Sequence, residues 1–137
     1  MAREISSGFA FYGNLPKGCN EQHLGIVLGV NDVLLKYCYC TSKDKFKHIK
    51  LDDKECVKIS AETMAEYFCE SKETYIFISQ QYLKELLLIT FESYLTDSVI
   101  EDRGQIKNDI FTAILSKIRN SDNLSDRFKE EFFDFIG

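Results

Sequence analysis

Hydrophobic positions follow two rhythms, one in each half of the chain. From Gly8 to Ile78 they come in short, dense runs broken by turn residues. Phe9 to Tyr12 is aromatic and bounded by Gly8 and Gly13, which predicts a strand; the next stretch, with Asn14, Pro16, Gly18 and Asn20, predicts a loop. His23 to Val30 is a nearly continuous run of leucine and β-branched residues. Asn31-Asp32 supplies turn chemistry, and Val33 to Thr41 resumes with valine, leucine, tyrosine and cysteine, so the two runs predict an antiparallel hairpin. Glu55 to Ile59 and Thr74 to Ile78 predict two further strands, with a short helix over Ala61 to Tyr67 between them.

After residue 79 the spacing turns helical. Leu83, Leu86, Leu87, Phe91, Tyr94 and Leu95 fall on one face at steps of three and four, with Ser79 placed to cap the N-terminus. Ile106, Ile110, Ile114 and Ile118 form a second stripe, and Leu124, Phe128, Phe132 and Phe135 a third. The expectation is an α+β single domain over residues 1–137, with a small β-barrel or sheet over about 8–78 and three packed helices over about 79–137. Phe132, Phe133 and Phe135 cover more circumference than one helical face buries, which fits either an interface or tight packing onto the sheet.

Composition narrows the class. A chain of 137 residues with 45% apolar content and one proline buries a core without disulfide or metal staples. The apolar run Leu86 to Phe91 falls far short of the ~20 residues that span a bilayer, so no membrane partner is expected. The N-terminus has no apolar signal region, and a cytoplasmic location is expected. The five cysteines include no CxxC pair, and free thiols in a reducing compartment account for them. A zinc site from Cys38, Cys40, Cys56 and His48 lacks the usual tight C-x2-4-C spacing, so neither metal nor cofactor is expected.

The net charge of −5 argues at first against nucleic acid. Its distribution weakens that objection for the first half. Residues 1–58 hold nine basic and seven acidic residues, whereas residues 59–137 hold eight basic and fifteen acidic. Lys43, Lys45, Lys47, His48 and Lys50 interleave with Phe46, which reads either as a basic patch beside an aromatic or as a solvated lysine loop. Glycine-rich phosphate loops, GxSxG elbows and HExxH pairs are absent from the sequence.

One stretch collects the remaining chemistry. The run His23-Leu24-Gly25-Ile26-Val27-Leu28, a turn, and a second run ending Tyr39-Cys40-Thr41-Ser42-Lys43 resemble the core of the MazF/PemK-like toxins, including the ToxN-like branch. The resemblance covers about residues 8–59. It implies an SH3-like antiparallel barrel with added helices, usually a homodimer, acting as a metal-independent endoribonuclease on single-stranded RNA under the restraint of an antitoxin, protein or RNA. By position, His23 replaces the basic residue that opens the strand, and Thr41 and Ser42 replace the strand-end hydroxyl pair. The departures are His23-Leu24 where many members have Arg-Pro, and Asp44 where ToxN-like members carry lysine.

These residue types suit the implied chemistry. Metal-free cleavage needs a base for the 2′-OH, an acid for the departing 5′-oxygen and donors for the charged phosphorane. A histidine near neutrality serves either proton role, so His23 is the candidate, with Thr41 and Ser42 as donors and Lys43 or Lys45 balancing charge. Tyr12, Tyr37, Tyr39 or Phe46 would stack bases, and Asn14, Lys17 and Lys47 would border the RNA. The structural alternatives are a half-buried strand histidine bonded to a carbonyl and an ordinary turn at Thr41-Ser42. A competing functional class is a non-catalytic protein-binding module or gyrase-poison-like toxin on the same fold, which the acidic second half favours.

Overall fold

The computed structural model describes residues 4–13, 23–42, 56–68, 74–79 and 83–136, giving the backbone alone at His23, Thr41, Ser42, Tyr67 and Phe68. In chain order the elements are β1 (Phe9–Gly13), β2 (His23–Val30), β3 (Leu34–Ser42), β4 (Cys56–Ile59), α1 (Ala61–Phe68), β5 (Thr74–Phe77), β6 (Leu83–Leu87), α2 (Leu88–Thr96), β7 (Ile100–Gln105), α3 (Asn108–Asn120) and α4 (Asp126–Ile136). The domain is α+β.

The predicted hairpin is the centre of the sheet. Asn31 closes it, its Oδ1 accepting from the backbone N–H groups of Val33 at 2.8 Å and Leu34 at 2.7 Å. That side-chain acceptor replaces a backbone turn, which is why an Asn-Asp pair suffices here without glycine. All ladders are antiparallel, in the order β4-β5-β3-β2-β1-β7, and β6 pairs with β3 beside this path. β3 shares one edge between two partners, β6 along Leu34 to Cys38 and β5 along Cys40 to Ser42.

Both faces of the central strands are buried, which explains why β2 reads as a continuous apolar run and not as alternation. Leu24, Ile26 and Leu28 join Cys38, Cys40 and Ile76 in a core closed by Met64 of α1, Ile114 and Ile118 of α3, and Phe132 of α4. The opposite face carries Phe9, Phe11, Val27, Tyr37 and Tyr39 beneath Phe91 of α2. The expected closed barrel is corrected accordingly: among the described residues no ladder joins β4 to β7, and the sheet stays open. A barrel buries one face inside itself; here each face finds its own helical cover.

Two more expectations change. The stripe beginning at Leu83 is not one helix capped by Ser79: Leu83–Leu87 is strand β6, and α2 starts at Leu88. The free edge of β3 at Leu34 to Cys38 offers unpaired N–H and C=O groups, and pairing with Leu83–Leu87 satisfies them, overriding local helical spacing. β7 also lies inside the range read as helical, pairing with β1 through a bulge between Ala10 and Phe11. Its Gly104, opposite Ala10, has φ +96°, a conformation that favours glycine.

Of the C-terminal phenylalanines, Phe132 packs into the core, and Phe128 and Phe133 pack partly against it. Phe132 is buried and stacks on Phe128 at 6.3 Å, Phe133 lies beneath the Arg119 guanidinium at 4.2 Å, and Lys36 Nζ stands 5.1 Å from the Phe135 ring. No helix among the described residues is long and apolar enough to cross a membrane.

Candidate functional site

One end of the sheet gathers the strand termini that matter. β1 ends there with Gly13, β2 begins with His23, β3 ends with Thr41 and Ser42, and β5 begins with Thr74. The antiparallel topology requires this convergence, because each strand runs opposite to its neighbour. Gly13 pairs with His23, and Leu24 pairs with Cys40, so one further step of the same register sets His23 beside Thr41. Thr41 pairs on its other side with Tyr75, and Tyr75 with Lys58 of β4. A single transverse row therefore runs Gly13, His23, Thr41, Tyr75, Lys58.

Gly25 and Tyr39, two positions further along β2 and back along β3, lie on the face covered by α2. Lys58 lies exposed between buried Val57 and Ile59, and Tyr75 is half-buried with its ring stacked 6.2 Å from Phe77. Neither was singled out by sequence reading. Lys58 did carry a weak signal, as the one polar position in an apolar strand, but its cross-strand neighbours are set only by the pairing.

Behind the row the face is aromatic and buried. The Phe11 ring occupies the space above Gly25, so that a Cβ there would come closer than 3.0 Å to it. Phe11 meets Tyr37 edge-on at 5.7 Å, and Tyr37 meets Tyr39 at 5.4 Å. Burial pushes the Tyr37 hydroxyl above its ordinary pKa, opposed by the neighbouring Tyr39 hydroxyl and reinforced by Tyr94. Tyr37 at 1% exposure and Tyr39 at 9% are core residues, which removes both as platforms for bases.

The other expected residues are distributed as follows. Tyr12 is half-buried on the opposite face, packed against the α3/α4 core under the Arg103 guanidinium at 5.0 Å, and is not brought to the row. Asn14, Lys17, Lys43, Lys45, Phe46, Lys47 and His48 lie outside the described residues. Cys38 and Cys40 share the core face as expected; burial pushes the Cys38 thiol up to about 12 and the Cys40 thiol well above its ordinary value. They are therefore neutral, poorly nucleophilic thiols.

Chemically, the row places a histidine, a hydroxyl residue, a phenol and a lysine on adjacent strands at an end of the sheet where the chain enters and leaves. Comparison of the chain with protein-family models gives no match, and comparison with curated protein sequences gives none.

Proposed function

We propose that this protein is a metal-independent endoribonuclease toxin related to the MazF/PemK-like superfamily, cleaving single-stranded RNA to 2′,3′-cyclic phosphate and 5′-OH ends. The observation that carries the reading is the register: Leu24 opposite Cys40 sets the next positions, His23 and Thr41, on neighbouring strands. An SH3-like strand arrangement belongs to the same reading, supported by the antiparallel ladders from β1 to β5. So do a cytoplasmic homodimer and an antitoxin of RNA or protein.

In this reading His23 moves the proton between the 2′-OH and the leaving 5′-oxygen, and Thr41 and Ser42 donate to phosphate oxygens. Lys43 balances the charge that develops on phosphorus-bound oxygen. Lys58 adds a second cation two strands away, and Tyr75 between them presents a ring to a base. This assigns to Tyr75 and Phe46 the stacking that buried Tyr37 and Tyr39 do not perform.

The test is incubation of purified protein with mixed RNA in EDTA, with analysis of the product ends. Cleavage to cyclic phosphate is expected, slowed about 10²–10⁴-fold by His23→Ala and less by Thr41→Ala. Absence of cleavage, or cleavage indifferent to both substitutions, overturns the reading.

A further inference from the structure

A groove crosses the α2 face between that helix, the β2–β3 turn, the start of β7 and the segment before β1. Its volume is about 1120 Å³, above the roughly 300–1,000 Å³ of pockets that enclose small molecules, and it is open to solvent. The floor is apolar: Phe9 and Ile100 are buried, and Ile5, Val30, Leu88 and Leu95 are partly covered. The walls are acidic, with Glu4, Asp32, Glu92, Glu101 and Asp102 and no lysine or arginine among the described lining residues. Arg103 offsets Glu101 at 3.3 Å, so the net negative charge rests on Glu4, Asp32, Glu92 and Asp102, the last also accepting from the Gly104 N–H at 2.8 Å.

A second feature lies next to it in the chain. The large apolar side chains that stand exposed among the described residues are Val33, Leu87, Ile89 and Val99. Every one is the chain neighbour of a groove residue: Val33 follows Asp32, Leu87 and Ile89 flank Leu88, and Val99 lies between Ser98 and Ile100. Val33 is tied to the groove directly, its carbonyl accepting from the Leu88 N–H at 2.8 Å. None of the four lines the groove itself; they border its lining along the chain and add exposed apolar surface of the kind found at protein contacts.

We propose that this groove docks a cationic, amphipathic segment of a partner protein. Charge decides the class of occupant. RNA and anionic lipid are repelled by the acidic walls, and a small polycation leaves the floor and the four exposed apolar side chains unused. A second copy fits poorly as well, since two-fold pairing would set the acidic walls of one groove against those of the other. A segment with lysine or arginine on one side and aliphatic anchors on the other matches both walls and floor. The proposal does not depend on the ribonuclease reading.

The experiment uses a labelled synthetic peptide of about five helical turns, with leucines at i, i+3, i+4 and i+7 and lysines elsewhere, titrated with the intact protein. Binding is expected to weaken about tenfold or more in Asp32→Lys/Glu92→Lys and also in Val33→Ser/Ile89→Ser. Glu130→Lys/Asp134→Lys, which changes net charge equally on exposed positions of α4, should leave it within about threefold. Backbone amide shifts should map to Val30, Asn31 and Leu95, and His23→Ala should bind the peptide unchanged. Equal weakening by both charge-reversal pairs, equal binding of a peptide with the same composition and scrambled leucines, or a protein dimer dissociated by Asp32→Lys/Glu92→Lys would each overturn the proposal.

Discussion

Leu24 and Cys40 pair at the end of the β2–β3 ladder, and His23 and Thr41 are the next residue on each strand. Directly opposed residues on antiparallel strands hold their Cβ atoms about 4.5–5.5 Å apart, within reach of a cross-link. The doubly substituted chain His23→Cys/Thr41→Cys is expected to form an intramolecular disulfide on mild oxidation, read by mass spectrometry of peptides. His23→Cys/Ser42→Cys, one step out of register, should cross-link far less. This tests the geometry of the site without reference to any activity.

The contact of Phe11 with Gly25 makes a second expectation. Gly25→Ala forces a Cβ into the Phe11 ring and should destabilise the domain by about 1–3 kcal/mol in urea unfolding. Adding Phe11→Leu, which frees space above the strand, should make the combined loss smaller than the sum of the separate losses. Strict additivity would show that the two positions do not touch.

Phe91 and Ile89 sit two residues apart on α2 with opposite expectations. Phe91 is fully buried and meets Phe9 at 6.0 Å and Phe11 at 5.2 Å, both edge-on, so it anchors α2 to the sheet. Phe91→Ala should cost about 3–5 kcal/mol. Ile89 is 74% exposed, and Ile89→Ala should change stability by no more than about 0.5 kcal/mol.

The buried thiols give stability a pH dependence at the alkaline end. A thiol whose native pKa is raised keeps its proton in the fold while the unfolded chain releases it. Stability is therefore full below the ordinary value of 9.0 and falls as pH rises from there toward about 12, the native value of Cys38. Urea midpoints measured between about pH 7 and pH 10.5 should decline, and Cys38→Val/Cys40→Val should decline less. In the native protein both thiols should resist a disulfide reagent that labels them after unfolding.

Much of the fold was legible because local chemistry and tertiary demand agreed. The β2–β3 hairpin, the Asn31 turn, β4, β5, α1, α3 and α4 fall close to where apolar spacing placed them. Legibility failed at β6 and β7. Leu83–Leu87 has leucines that suit a helix face as well as a strand, and Ile100–Gln105 is a charged stretch with little apolar alternation. Both became strands because β3 and β1 had edges to satisfy, a demand that no window of sequence contains.

The candidate site divides the same way. His23, Thr41 and Ser42 stood out by residue type and by their positions at the ends of two apolar runs. That Tyr75 and Lys58 complete their row, that Tyr12 faces the other core, and that Tyr37 and Tyr39 are buried are consequences of strand pairing and of which face each helix covers. The sequence by itself determined the strong local elements, through spacing, turn chemistry and the continuous burial of β2. Only the tertiary structure decided which residues meet, because hydrogen-bond partners across a sheet are chosen by the edges left open once the whole chain is packed.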